Sequence, residues 1–265
     1  MVELCRTVRA NLGGAHHAEL PHGSNGHAGQ PPMAGLGTYS EFLVTCAGEP
    51  DPVSGYLINI KLIDQAVRRT VLPRVHAALL SSPATDPLTL LPALAEHLAA
   101  ELPVRLRALR WNLSPYLSLE HRMNEPSSAL LRQRFEFAAA HRLHAPELSD
   151  AENRATFGKC NNPSGHGHNY EVEICVAVLL DSRAMHAAEL ERIVDETVIQ
   201  RFDHKHLNLD TAEFGPTGVN PSVENIARVA FDLLAPALTL ARGAGTLREV
   251  TVWETPKTSA TYPAR

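Results

Sequence analysis

The stretch "GKCNNPSGHGHNYEVEICV" occupies Gly158–Val176, and its second half decides the fold. From His166 to Leu180 polar and apolar residues alternate. Tyr170, Val172, Ile174, Val176 and Val178 therefore share one face of a predicted strand. His166 and His168 stand at the mouth of that strand in an i, i+2 relation, so both imidazoles point the same way. Cys160 precedes them by six residues, in a loop of Lys, Asn, Pro and Gly.

Working outward, Arg134–Ala140 reads as a preceding strand, and His144–Gly165 as the loop that joins the two. Downstream, Leu190, Ile193, Val194, Thr197 and Val198 follow the apolar stripe of a helix. A Gly/Pro loop leads to Asn220-Pro221, read as the cap and first turn of a second helix, with Val223, Ile226, Ala227, Ala230, Phe231 and Leu234 as its stripe. Leu247–Glu254 alternates as a strand, and Thr258–Tyr262 is placed to pair with it. The order is ββααββ, an α+β pattern with antiparallel strands.

The first half repeats this order more weakly. Ile63, Ala66, Val67, Thr70 and Val71 lie 127 positions before the five stripe residues of the Leu190 helix. "LRALRWNLSPYLSL" (Leu106–Leu119) parallels "REVTVWETPKTSAT" (Arg248–Thr261), Trp against Trp, and "TYSEFLVTC" (Thr38–Cys46) parallels "NYEVEICVAV". Two tandem copies of one module are expected, over residues 1–123 and 124–265. Gly13–Gly37, with His16, His17, His22 and His27, reads as a long loop.

The 265 residues are 44% apolar and 20% charged with a formal net charge of −5, which excludes a broad nucleic-acid-binding surface. No apolar run approaches the roughly 20 residues of a membrane span. The N-terminal stretch has no signal-peptide core, so a cytoplasmic protein is expected. Cys5, Cys46, Cys160 and Cys175 form no CxxC pair, which argues against a disulfide framework or an all-cysteine zinc site.

Two imidazoles on one face suit a first-row metal, although an isolated HxH is more often just solvated. His141, at the end of the preceding strand, supplies a third ligand if the strands pair. Three neutral histidines with a fourth position open describe a catalytic zinc site. Cys160 lies beside Lys159, where a cation would lower its pKa and fit it as base or nucleophile. Cys175 reads as buried and inert. Asp203 and His204 adjoin, a common way to hold an imidazole ready for proton transfer. Glu254 ends a strand, where a carboxylate can accept paired N–H donors from a guanidine-like heterocycle.

Together, "AAHRL" (Ala139–Leu143), "FGKCNNPSGHGHNY" (Phe157–Tyr170), "FDHKHLNLD" (Phe202–Asp210), "NPSVENIA" (Asn220–Ala227) and "VWETP" (Val252–Pro256) resemble the 6-pyruvoyl-tetrahydropterin synthase family, which includes the 6-carboxytetrahydropterin synthases of queuosine biosynthesis. The resemblance runs over Arg134–Tyr262. It implies a tunnelling fold whose modules close into a barrel on oligomerisation, and a zinc-dependent lyase acting on 7,8-dihydroneopterin triphosphate to give a 6-pyruvoyl or a 6-carboxy product.

By the same resemblance His141, His166 and His168 would bind Zn2+. Cys160 would be the base, completed by Asp203 and His204 across a subunit interface, and Glu254 with Ser222 would hold the pterin. Lys159, Arg142 and Lys205 are candidates for the triphosphate. The six-residue step from Cys160 to His166 resembles the pyruvoyl type, whereas Val223 stands where that type often has Thr.

The first half lacks this equipment. It offers Asn112 or Leu113 for Glu254, "AGLGTY" (Ala34–Tyr39) for the His-Gly-His, and His76-Ala77 for Asp203-His204. Its opening strand, "VELCRTVRANL" (Val2–Leu12), has no histidine. It is expected to be a degenerate copy. A trimer of tandem chains would then mimic the family's hexamer, with three active sites. The rival expectation is a non-catalytic zinc- and pterin-binding scaffold.

Overall fold

A computed structural model describes residues 1–13, 36–181, 184–243 and 245–264. The loop expected over Gly13–Gly37, with its four histidines, lies almost wholly outside the described residues. The chain divides into two compact units, Met1–Leu131 and Arg132–Arg265. The division falls eight residues beyond the expected 123/124 boundary.

In the first unit β1 (Val2–Leu12) and β2 (Thr38–Gly48) pair antiparallel over their whole length, ending at Leu12 opposite Thr38. Next come α1 (Ile60–Ala66), a π-helical turn (Val67–Val71), α2 (Leu72–Ser81) and α3 (Pro87–Glu101). Asn59 and Asp86 cap α1 and α3 by accepting from Lys61 and Leu88 N–H. The chain then adds β3 (Arg105–Asn112) against β2 and β4 (Leu117–Arg122) against β3. Alternation drives the packing: Phe42, Val44 and Cys46 on β2 and Leu109 on β3 are fully buried, as are Ile63, Val67, Leu91 and Leu98 from the helices. Trp111 stacks on Phe42 at 5.3 Å and donates its indole N–H to Ser40 Oγ.

In the second unit β5 (Ser128–His141), whose first residues precede the division, neighbours β6 (His166–Leu179). β6 pairs with β8 (Gly245–Thr255), and β8 with β9 (Thr258–Tyr262). Tyr170, Val172, Ile174, Val176 and Val178 are all buried, as the alternation predicts. The first helical stretch is α5 (Ala187–Val194), a π-helical turn (Asp195–Ile199) and α6 (Gln200–Phe202); the second is α8 (Val223–Thr239), packed on β8 and β9. Between them, β7 (Lys205–His206) runs parallel to β5 at Ala139 and Ala140 and leads into α7 (Leu207–Asp210).

Four readings are corrected. The stretch His144–Gly165 is not all loop: it contains α4 (Asp150–Phe157) and a 3-10 turn (Gly158–Asn161). A capping box starts α4, with Ser149 accepting from Glu152 N–H and Glu152 accepting from Ser149 N–H. The helix has no apolar stripe, so periodicity could not reveal it. The cap of α8 is Ser222, which accepts from Asn225 N–H, whereas Asn220 Oδ1 accepts from His144 N–H. β5 starts at Ser128 rather than Arg134, because the apolar run Ala129–Leu131 is buried on both faces and breaks the alternation.

The Trp–Trp match is the fourth. The β2–β3 ladder slips between Thr45 and Cys46, and the β6–β8 ladder slips between Cys175 and Val176. Superposing these bulges places Phe42 on Val172, Trp111 on Val252 and Leu113 on Glu254. The two tryptophans thus differ by one ladder step. Trp111 faces the core, while Trp253 lies under the Arg134 guanidinium at 4.4 Å.

Candidate metal centre and active site

The end of β5 and the start of β6 deliver three imidazoles to one point. His141 is fully buried. Its Nδ1–H donates to the Pro221 carbonyl at 2.7 Å, with the Tyr170 hydroxyl at 3.3 Å from the same nitrogen. That bond assigns the proton to Nδ1 and leaves a lone pair on Nε2. His141 Nε2 faces His166 Nε2 at 3.2 Å, and Glu254 Oε1 lies 3.3 Å from His141 Nε2 and 3.4 Å from His168 Nε2. One donor atom from each of the four residues lies within 4.8 Å of the other three.

This donor set fits a bound cation. Tetrahedral zinc with Zn–N near 2.0–2.1 Å requires neighbouring ligand atoms about 3.3 Å apart. Burial also selects the neutral imidazoles that ligation needs: it pushes the pKa of His141 down to about 4 and lowers that of His168. His168 Nε2 is buried without a hydrogen-bond partner. The His141 Nε2 lone pair faces the Glu254 carboxylate, an arrangement that a positive charge between them would stabilise.

Gly165 makes the approach possible. At φ +70° it turns the chain into β6, and an added Cβ would stand 2.6 Å from His206 Nε2 and 3.0 Å from the His141 carbonyl oxygen.

Cys160 rides on the 3-10 turn, which is buckled to the segment after β5. Its carbonyl accepts from Leu143 N–H, and the Asn161 amide donates to the Leu143 carbonyl. The expected lowering of its pKa is not found. Burial and the Glu254 charge push the thiol up instead, and both act against thiolate formation.

Asp203 and His204 form a separate pair. Asp203 Oδ1 accepts from Ala138 N–H at 2.8 Å, and Oδ2 lies 2.7 Å from His204 Nδ1. The Ala138 N–H, with His204 behind it, holds the Asp203 carboxyl below its usual range. His204 sits at φ 55°, unusual for a residue with a side chain, and its side chain is 84% exposed. With Lys205 and His206 it lines a cleft of about 550 Å³ that His168 also borders. Within the described residues no hydrogen bond joins this pair to Cys160. Ser222 spends its acceptor on capping α8. Of the proposed triphosphate cations, Arg142 donates to the Asn161 carbonyl, and Lys205 borders the cleft.

Sequence reading missed the support around His141. The Asn208 side chain accepts from Arg142 N–H and donates to its carbonyl, and Asn153 accepts from Ala145 N–H. Asparagines scattered through loops carry no periodic signal.

In the first unit the ladder positions that correspond to His166, His168 and Glu254 of the second, counted from the two bulges, hold Leu36, Thr38 and Leu113, and His76 lies inside α2. A groove of about 1120 Å³ lies between β1 and α1, but its Arg6 and Arg9 are paired with Asp64 and Glu41.

The second unit is thus an α+β module whose two adjacent strands bring together a donor set that could hold a metal ion. The model of the 6-pyruvoyl tetrahydropterin synthase family matches residues 130–265, and the chain belongs to that family. The 6-pyruvoyl tetrahydrobiopterin synthase of Drosophila melanogaster is 42% identical over 144 residues, which span 53% of this chain and 82% of the relative. The Homo sapiens enzyme of the same name is 39% identical over 137 residues, 51% of this chain and 90% of the relative. Among solved structures, the Caenorhabditis elegans 6-pyruvoyl tetrahydropterin synthase is 34% identical with a TM-score of 0.47, over 52% of this chain and 96% of that one.

Proposed function

We propose that the chain is a zinc-dependent lyase that converts 7,8-dihydroneopterin triphosphate to 6-pyruvoyl-tetrahydropterin with elimination of inorganic triphosphate, its catalytic equipment lying in the second unit. The convergence of three imidazole nitrogens and one carboxylate at the β5–β6 mouth is the observation that carries this reading. The relatives' names favour the pyruvoyl product over the 6-carboxy product of the queuosine pathway.

His141, His166 and His168 hold the metal. Bound there, zinc supplies a Lewis acid that polarises side-chain oxygens of the substrate. Cys160 takes the proton from the side-chain carbon, and a cation among the histidines offsets the Glu254 charge that otherwise holds its thiol neutral. His204, oriented by Asp203, returns a proton. Glu254 receives the pterin ring, with Ser222 beside it.

His204 is exposed and faces an open cleft, which supports a site completed by Cys160 of another copy. The first unit is a degenerate copy. Its support is the shared order, the matching bulges, and π-helical turns that begin after seven and eight helical residues in the two units. Such turns occupy well under 1% of residues. Chains of this kind assemble as a trimer that mimics a hexamer, in the cytoplasm.

The test is metal content together with product analysis on 7,8-dihydroneopterin triphosphate, for wild type and Cys160→Ala. One zinc per chain, a pyruvoyl product, and turnover lost with zinc retained in the variant are expected. Two zincs per chain would overturn the degenerate-copy reading. A 6-carboxy product would reassign the pathway. Zinc and pterin binding without turnover would favour the scaffold.

A further inference from the structure

We infer that Asn161 is the positioning residue of Cys160, and that it acts by docking the thiol's turn onto the residues that follow His141. This rests on the proposed role of Cys160 as base and goes beyond it.

β5 ends at His141, and residues 142–145 belong to no strand or helix. Their backbone N–H groups are nevertheless all accepted, each by a different segment. Arg142 N–H goes to Asn208 Oδ1 at 2.8 Å and Leu143 N–H to the Cys160 carbonyl at 2.8 Å. His144 N–H goes to Asn220 Oδ1 at 3.3 Å and Ala145 N–H to Asn153 Oδ1 at 2.8 Å. Asn208 follows the Asp203–His204 pair in the chain, and Asn220 precedes Pro221, whose carbonyl accepts from His141. The extension of β5 is thus a spine to which separate pieces of the site are tied.

Asn161 ties down the Cys160 turn. It is only 7% exposed. Its Nδ2 donates to the Leu143 carbonyl at 2.7 Å and lies 3.1 Å from His144 Nδ1. The two amide hydrogens serve these two acceptors, so His144 Nδ1 carries a lone pair. Exchanging the amide oxygen and nitrogen would set oxygen against the Leu143 carbonyl, which settles the amide's orientation. The Asn161 carbonyl accepts from Arg142 Nε at 3.2 Å. With Leu143 N–H on the Cys160 carbonyl, Cys160 and Asn161 are bonded to each of residues 142–144. None of these bonds involves His141, His166 or His168, so the turn can be loosened without touching a metal-binding histidine.

A group that removes a proton from one carbon must be held closely, since a misplacement of about 1 Å costs on the order of a hundredfold in rate. Cys160 sits on a single short 3-10 turn, Gly158–Asn161, and the last residue of that turn is the anchored one.

The test is peptide-resolved alkylation of the full chain by iodoacetamide, with turnover and zinc content, for wild type, Asn161→Leu and Asn161→Ser. Leu is near-isosteric and uncharged and removes both donors; Ser is the milder change and keeps one. The other cysteines are internal controls, because Cys5 is exposed while Cys46 and Cys175 are buried. In Asn161→Leu, Cys160 is expected to react at least about tenfold faster, the equilibrium effect of losing two buried hydrogen bonds, while Cys46 and Cys175 stay protected. Its kcat should fall by about ten- to a hundredfold with KM little changed and zinc retained. Asn161→Ser should lie between this variant and wild type.

Wild-type Cys160 reactivity and kcat in both variants would overturn the proposal. So would alkylation of Cys46 and Cys175 together with Cys160 in both, since Asn161 would then hold the fold and not the thiol. Faster alkylation of Cys160 with kcat unchanged would overturn the catalytic positioning. Wild-type turnover in Cys160→Ala would instead overturn the base assignment on which the proposal rests.

Discussion

At the residue scale, the site depends on a histidine kept neutral. His141 is fully buried, and burial depresses its pKa from an ordinary 6.5 to about 4. In the unfolded chain the same imidazole protonates near 6.5, so between about pH 6.5 and 4 the unfolded state binds the extra proton. Stability of the metal-free protein should fall on acidification across that window, by up to about 1.4 kcal/mol per pH unit from this group. Urea midpoints at pH 7 and pH 5 check this, and His141→Gln should reduce the slope, leaving the smaller share of His168, whose pKa burial also lowers. The neighbouring ligand acts differently. His166→Ala leaves a partly exposed pocket and not a core cavity, so it is expected to abolish metal retention through gel filtration while keeping the far-ultraviolet spectrum.

At the element scale, two short irregular pieces place the chemistry. Gly165 turns the chain into β6 at positive φ, against His206 and the His141 carbonyl. Gly165→Ala adds a left-handed penalty of about 1–2 kcal/mol to a backbone clash. It should lower both the melting temperature and the zinc affinity, because relief of the clash moves the strand that carries His166 and His168. Helix α4 ends where the Cys160 turn begins, and its N-terminus rests on the Ser149–Glu152 box. Ser149→Ala should cost about 1 kcal/mol. Its expected signature is reduced turnover with unchanged metal content, since α4 leads directly into the turn that carries Cys160 and holds none of the histidines.

How much of the site was legible follows from how each residue is held. The His-Gly-His pair stood out because strand alternation alone puts both imidazoles on one side. The direction of the Cys160 shift is not legible in the sequence because it is set first by burial and then by the charge of Glu254, 94 positions away, and not by Lys159 beside it. Helix α4, which leads into the Cys160 turn, is not legible in the sequence because a helix without an apolar stripe leaves only its cap as a signal.

At the scale of the whole molecule, the chain divides into two compact units, and the converging histidines lie in the second. A solution mass of three chains, each 28.8 kDa, is the expected assembly; a mass of one chain or of six would count against it. Sedimentation equilibrium checks this. The sequence by itself determined the main strands and helices of the second unit and the residues able to bind metal, because these depend on local periodicity and residue chemistry. Tertiary structure decided the rest. Counted from the ladder bulges, Leu113 and not Asn112 falls at the position of Glu254, and the two tryptophans fall one step apart. A bulge turned Glu254 onto the histidines. Register and bulge position are set by packing between strands far apart in sequence, and a one-residue slip there moves every side chain to the opposite face.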